Sequence, residues 1–523
     1  MKNKFWTTLL ITSLVLALIG CTSKSADTTA TTTTTPKSGG TLKFAYNVQP
    51  TTLDPQITTA IATRDISRNM FETLVTLDSK YKVVPMLAES FEASSDGKTI
   101  TFKLRKGVKF HNGKEMKAED VVASMLRWQQ GPVAKANFGS STWEATDEYT
   151  VVLHPEKPSF LNLIDLASTD QFAAIMPKET IAAADATGVK EYIGTGPFQF
   201  VEWKQNQYVH FKKFAGYSAV SSPADGLAGK KVALVDDLYF NIVTDSSTRV
   251  NGIIGGEYDL ANAVPYDAAA QVKNAPGVST IVYPMGIHII VFNKQQGLFK
   301  DVKARQAVNL ALNEKELLTA AFSSSEFYDY GNSFFPPTQA NWYTDMGKEN
   351  YDHQDLEKAK QLLKEAGYNG EPITIITNRD YIEHYNTAVN LQQQLSKIGM
   401  NIKLEVMDFT TQLDRRNKPD QYNMFVSGQG TFISPFQFPF LDSKSKWAGW
   451  TNNPEIDKLL AEIKSQPTQA KATESFVKLQ KLVWEDLPVI NTGTYKQIKA
   501  VSKKVKGFQE FIGPVLWNTS IEN

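Results

Sequence analysis

Few side chains in this sequence are placed to make or break covalent bonds. The 523 residues include one cysteine, Cys21, and six scattered histidines: His111, His154, His210, His288, His353 and His384. A single thiol cannot form a Cys-x-x-Cys zinc site or redox pair. Neither His-Glu-x-x-His nor Gly-x-Ser-x-Gly occurs, and Gly194-Thr195-Gly196 lacks a third glycine and reads as a turn. Free nickel wants clustered nitrogen and oxygen ligands, and His384 near Arg379 is one histidine only. The remaining chemistry is non-covalent. Arg379 carries a guanidinium fork suited to a carboxylate. Gln429 and Gln437 lie among Phe432, Phe436, Phe438, Trp447 and Trp450, rings able to stack on sugars or apolar side chains.

Cys21 has a different use. Lys2 and Lys4 precede an apolar run, Leu9 to Ile19, and the run ends Leu18-Ile19-Gly20-Cys21. A basic start, a short apolar core and a small residue form a secretory signal. The run is shorter than the roughly 20 apolar residues of a membrane span. Its ending resembles a bacterial lipobox, in which the thiol is lipidated and becomes the new first residue. Thr22 to Gly40, with an unbroken threonine run from Thr31 to Thr35, reads as a disordered tether to a folded body that starts near Thr41.

The elements that must position Arg379 and Gln429 are legible. Ile373-Thr374-Ile375-Ile376 reads as a strand. Val389, Leu391, Leu395 and Ile398 mark a helix closed by Gly399, and Ile402, Leu404 and Val406 alternate as a second strand. This is a βαβ crossover, which implies parallel strands. A further strand, Tyr422 to Val426, leads into a loop, Ser427 to Thr431. Ligands sit beyond the carboxyl ends of such strands, where Arg379 and Gln429 both fall. Phe292-Asn293, ending a strand from Ile289, and Thr494-Tyr495 are further candidates. Other helices are marked by Val121, Val122, Met125 and Leu126, and by Leu356 to Ala366 between Asp355 and Gly367.

Size and charge bound the rest. The chain is 42% hydrophobic and 21% charged, with Lys+Arg and Asp+Glu both at 55. That predicts two or three globular domains and no nucleic-acid surface. Lys503, Lys504 and Lys506, beside Val501 and Val505, read as the solvated face of a strand.

Several stretches resemble one family in order. Leu53-Asp54-Pro55 comes first. Leu87-Ala88-Glu89-Ser90-Phe91 leads to Asp96-Gly97, then to Phe102 through Gly113 and Ala118-Glu119-Asp120-Val121-Val122. Gly194 to Phe198, Ala304 to Asn309, and Lys358 to Tyr368 follow. The set is similar to the extracellular solute-binding proteins of family 5, which serve peptide and nickel ABC importers. The resemblance implies an α/β, periplasmic-binding-protein-like fold of two lobes (class II, large type). On it, 1–20 is a lipoprotein signal and 21–40 the tether. Residues 41–82 and 206–288 form the first lobe, with 83–205 as its subdomain. Residues 289–493 form the second lobe, and 494–523 return to the first. It implies a monomer without catalysis or cofactor, anchored outside the membrane and docking on a permease with separate ATPase subunits.

Peptide-binding members pair an arginine after a second-lobe strand with the ligand carboxylate, and Arg379 matches it. They pair an aspartate four residues before a proline with the ligand amine, and counting back from Pro435 that position is Thr431. The tryptophan three residues earlier is Gly428 here, and the residue before the proline is Ser434. Threonine cannot ion-pair with an ammonium group. The expected solute is therefore small, polar, and peptide-like or carboxylated, with Arg379, Gln429, Thr431, Phe432, Trp450, Phe292, Asn293 and Tyr495 as its expected contacts. An oligosaccharide, chelated nickel, a non-transport receptor role and a cell-surface hydrolase are the alternatives.

Overall fold

Two long antiparallel strands, Val278–Phe292 and Val489–Ser502, are the spine of the molecule. Both are rich in β-branched and aromatic residues. The computed structural model describes residues 38–522, so Cys21, its signal and nearly all of the tether lie outside the described residues. Gly39 and Gly40 were expected in the tether but are docked on the body. Gly39 donates its N–H to Leu234 O at 2.7 Å, and Gly40 donates to Asp236 Oδ2 at 3.1 Å.

An eleven-stranded sheet spreads from the spine in two directions. On one side Val489–Ser502 pairs with Leu260–Ala261, followed by Thr41–Tyr46, Asp237–Ile242, Tyr208–Lys213 and Phe198–Lys204. On the other, Gly286 to Phe292 pairs with Met424–Gly430, followed by Ile373–Asn378 and Ile402–Met407. These are the two lobes. The sequence-derived boundaries at 288/289 and 493/494 fall inside the two spine strands, which belong to both lobes.

The spine ladder is broken where it passes between lobes, with register shifts between Pro284 and Gly286 and between His288 and Ile289. Pro284 has no N–H to donate. At Gly286 a Cβ would lie 1.7 Å from the Gln429 carbonyl oxygen, so only glycine fits. Such irregularities bend and twist a strand locally.

A separate four-stranded antiparallel sheet, Ala88–Ala93, Ile100–Leu104, Thr150–His154 and Thr142–Asp147, forms the first lobe's subdomain with the helix Ala118–Trp128. Phe102, Phe110, Val121, Met125 and Trp128 fill its core, whereas Leu126 is exposed. Phe198–Lys204, read as subdomain, is instead the edge of the main sheet, paired with Tyr208–Lys213.

In the second lobe Ile373–Asn378 and Ile402–Met407 run parallel around the helix Ile382–Ser396. The helix buries Ala388, Leu391 and Leu395, but Val389 only half. Val406 is exposed because its strand is the sheet's edge. Ser427 to Gly430, expected as a loop, continue the strand, because the spine residues Gly286 to Ile289 supply their antiparallel partners. Lys503 and Lys504 form a turn between strands.

Gly286→Ala must push Gln429 off the spine, and thermal unfolding should register a loss of about 2–3 kcal/mol; an unchanged melting temperature would refute that close approach. Glu314 is fully buried with neither carboxylate oxygen hydrogen-bonded, and its own N–H donates to Asp352 Oδ1 at 3.1 Å. Burial, then Asp352, pushes its pKa up from 4.5 to about 8. The native state thus keeps a proton that the unfolded chain has released, so this site's contribution to stability falls as pH rises through that interval. Glu314→Gln should flatten this fall in denaturation curves taken at about pH 5 and about pH 9; a fall of the same size in the variant would refute it.

Candidate ligand-binding cleft

Between the lobes lies a cavity of about 560 Å³, within the usual size range of small-molecule sites. Its first-lobe wall carries Arg64, Asp65 and Asp170. The spine contributes Pro284, Met285, Gln497 and Lys499, and the second lobe contributes the segment from Gly430 to Phe438.

Arg64 and Asp65 sit on the helix Ile61–Ser67. Asp65 accepts from Arg64 Nε at 2.8 Å and from the Tyr46 hydroxyl at 2.8 Å. Lys499 comes from an otherwise apolar buried stretch, Ile498 to Val501, and its side chain is 2% exposed. It pairs with Glu510 at 2.8 Å and lies 4.0 Å from the centre of the Tyr283 ring. Burial alone would lower the ammonium's pKa, but Glu510, Tyr283 and Asp65 outweigh it and hold the value above the ordinary one. Burial raises the Asp170 carboxyl, against the opposing pull of Arg64 and Gln437. Burial likewise raises Asp165 to about 6.

The facing wall is shaped by the turn Pro435–Gln437, capped by Ser434. Gln437 Oε1 accepts from the N–H groups of Ile433 (2.8 Å) and Ser434 (3.1 Å). This fixes the amide so that Nε2 points across the cleft, where it donates to Asp170 Oδ2 and Ser168 Oγ. Lys464 Nζ donates to Asn137 Oδ1, and Ser159 Oγ donates to Lys464 O at 2.9 Å. These bonds join the subdomain to the second lobe, so the lobes meet across the cavity.

Of the contacts expected from sequence, Thr431 and Phe432 line this cavity. Thr431 Oγ1 donates to Met285 O at 3.0 Å, and Phe432 meets Phe438 edge-to-face at 5.0 Å. The others do not line it. Arg379 is exposed, stacks 4.4 Å from the centre of the Tyr385 ring and donates to its hydroxyl at 3.1 Å. Its neighbour Asp380 instead accepts from Phe409 N at 2.6 Å. Gln429 is tied into the strand, its side chain reaching Ser427. Trp450 lies over Tyr422 with φ at +48°. Phe292 is fully buried, and Asn293 holds the carbonyls of Pro419 and Tyr422. The spine enters the second lobe at Gly286, so its far end at Phe292 points away from the cleft. Tyr495 stacks on Phe322, and its hydroxyl occupies the space beside Gly428, where a Cβ would lie 2.8 Å from it. A tryptophan at 428 has no room.

Arg64, Asp65, Asp170, Lys499 and Glu510 were missed. A lysine inside an apolar strand, as at 499, was the available signal, since such residues are rarely buried unpaired. Among the described residues no group of three or more His, Cys, Asp or Glu could hold a metal ion, and no helix is long and apolar enough to cross a membrane.

Comparison with known proteins agrees with this architecture. Residues 82–452 match the family described as bacterial extracellular solute-binding proteins, family 5 Middle. The chain belongs to this family. It is 28% identical to a probable peptide ABC transporter periplasmic-binding protein, y4tO, of Sinorhizobium fredii (strain NBRC 101917 / NGR234), over 89% of this chain and 90% of that one. It is 28% identical to the glutathione-binding protein GsiB of Escherichia coli O157:H7, over 88% and 90%. The solved structure of the binding protein AgaA from A. tumefaciens R10, in complex with agropinic acid, superposes with a TM-score of 0.75 at 27% identity, covering 92% of this chain and 99% of that one. As a family 5 member this protein is an extracytoplasmic solute-binding protein, and the interlobe cavity is its candidate solute site.

Gln437→Ala removes a charge-assisted hydrogen bond of about 1.5–3 kcal/mol between lobes. It should shift the open-to-closed ratio at least tenfold toward open and raise the radius of gyration in small-angle scattering. An unchanged scattering curve would count against that bridge.

Proposed function

We propose that this protein is the lipid-anchored substrate-binding component of a peptide-type ABC importer, capturing a small peptide-like or carboxylated solute between its lobes. The observation that carries this reading is the cavity itself: neither lobe encloses it alone, and side chains from both walls meet across it. A solute touching both walls favours the closed state by its differential affinity. Thiol lipidation at Cys21 holds the protein at the outer membrane face, and the closed form docks as a monomer on a permease driven by separate ATPase subunits. The glutathione-binding and agropinic acid-bound relatives support a small carboxylated solute over a long chain, as does the cavity's size. Thr431 supports the same choice, because its neutral hydroxyl is already committed to Met285 O and offers no anion to an amine.

Native mass spectrometry of the full-length protein, released from detergent, should reveal a co-purified mass of a few hundred daltons. Its removal should expand the protein in scattering, and its return should compact it. Solute turnover, or a shape indifferent to the co-purified molecule, would overturn the proposal.

A further inference from the structure

We infer that Arg64, on the first lobe, is the residue that fixes a carboxylate of the solute, in place of Arg379 on the second. This deepens the proposed function and rests on its reading of the cleft. Three cationic side chains line the cavity: Arg64, Lys464 and Lys499. Lys499 is ion-paired with Glu510, and Lys464 donates to the Asn137 amide and, as a single ammonium, presents no planar fork. Arg64 is ion-paired too, with Asp65, but through Nε alone. Its side chain is 12% exposed, and Nε is spent on Asp65 Oδ1 at 2.8 Å. Among the described residues, its two terminal nitrogens, Nη1 and Nη2, have no hydrogen-bond partner.

The support behind Arg64 is rigid. The Asp65 side chain is 5% exposed, and its second oxygen accepts from the hydroxyl of Tyr46, a fully buried residue of strand Thr41–Tyr46. Gly513 closes over Asp65, with room for no Cβ: one would lie 2.4 Å from Oδ1. The guanidinium is thus fastened by its Nε side, leaving the terminal Nη pair open. That pair matches the two oxygens of a carboxylate, giving two parallel charge-assisted hydrogen bonds. Asp170 also lines the cavity and is felt by Arg64, but it stands beyond ion-pair distance and accepts from Gln437. A partly desolvated cation with unfilled donors is costly, and a solute carboxylate relieves that cost. Arg379 has the opposite character. It is solvated, lies off the cavity, and is engaged with Tyr385 by both stacking and a hydrogen bond.

The test uses full-length protein and defined probes: N-acetyl-trialanine and N-acetyl-tetra-alanine, each as the free acid and the C-terminal amide, with glutathione, whose second carboxylate survives amidation, added for binding and closure only. Binding is measured by calorimetry and closure by scattering. For wild type, free acids should bind at least tenfold tighter than amides. Arg64→Gln should bring the ratio near one, Arg64→Lys should lower it partly because charge remains without the fork, and Arg379→Ala should leave it unchanged. Should Arg64→Gln fail to fold, the Arg64→Lys ratio decides. A preference that survives at Arg64, or vanishes with Arg379→Ala, overturns the assignment. Equal binding of acids and amides by wild type sinks the assignment while the solute-binding reading stands. A panel that neither binds nor alters scattering sinks both.

Discussion

Both lobes hang on the same two strands, and that shared ladder constrains everything the protein can do. Val278–Phe292 and Val489–Ser502 hydrogen-bond to each other across the interlobe boundary, and each lobe's sheet grows from them. Backbone ladders do not slide by fractions of a residue, because a one-residue slip would turn every side chain to the wrong face. Relative motion of the lobes must therefore be bending, taken up where the ladder is already interrupted, between Pro284 and Ile289. Pro284 and Met285 in that stretch also line the cavity. Hinge and cleft share residues, so a solute in the cleft acts directly on the segment that sets the angle between lobes.

The same junction holds buried charge. Lys499 rises from the spine into a nearly dry site and is tolerable only because Glu510 and the Tyr283 ring face it. Arg64, Asp65 and Tyr46 form a second fixed group on the same wall. Buried charge of this kind adds little to stability compared with well-packed apolar residues. What it provides is orientation: donors and acceptors held in place along the cavity wall. The facing wall follows the same rule with neutral groups, the Gln437 amide being locked by two backbone N–H groups of its own turn.

How far the sequence was legible depended on the range of the interaction involved. The parallel pair Ile373–Asn378 and Ile402–Met407 could be read because β-branched runs and the turn at Gly399 are local signals. Ser427 to Gly430 could not, because two glycines and a serine have low strand propensity, and their strand is imposed by the spine residues Gly286 to Ile289, distant in sequence. Arg379 drew notice by standing just after a strand, a one-dimensional criterion blind to Tyr385 taking up its guanidinium. Arg64, on a short helix, carried no comparable mark; Lys499 was marked only by its apolar strand neighbours, lies 435 positions away, and the wall the two share exists only after the spine strands pair.

That separation bears on how recognition can be relocated within a common fold. In the loop that the family resemblance ties to an aspartate and a tryptophan, this chain has Thr431 and Gly428. These two changes fit one another structurally. Tyr495 fills the volume beside Gly428, so a large ring there would collide with the spine, and Thr431 turns its hydroxyl to Met285 on the spine's opposite strand. Both positions face the spine, and the second lobe lines the cavity with aromatic surface, the Gln437 amide and a turn, with Asp442 and Lys464 as its charged groups. The first-lobe wall carries Arg64, Asp65 and Asp170, with Arg64 fastened by Asp65 and Asp65 by Tyr46. If Arg64 fixes the solute as proposed, a mechanical consequence follows: a charged solute would be received by the lobe that carries the subdomain, and the second lobe would close over it with shape and hydrogen bonds to the same wall.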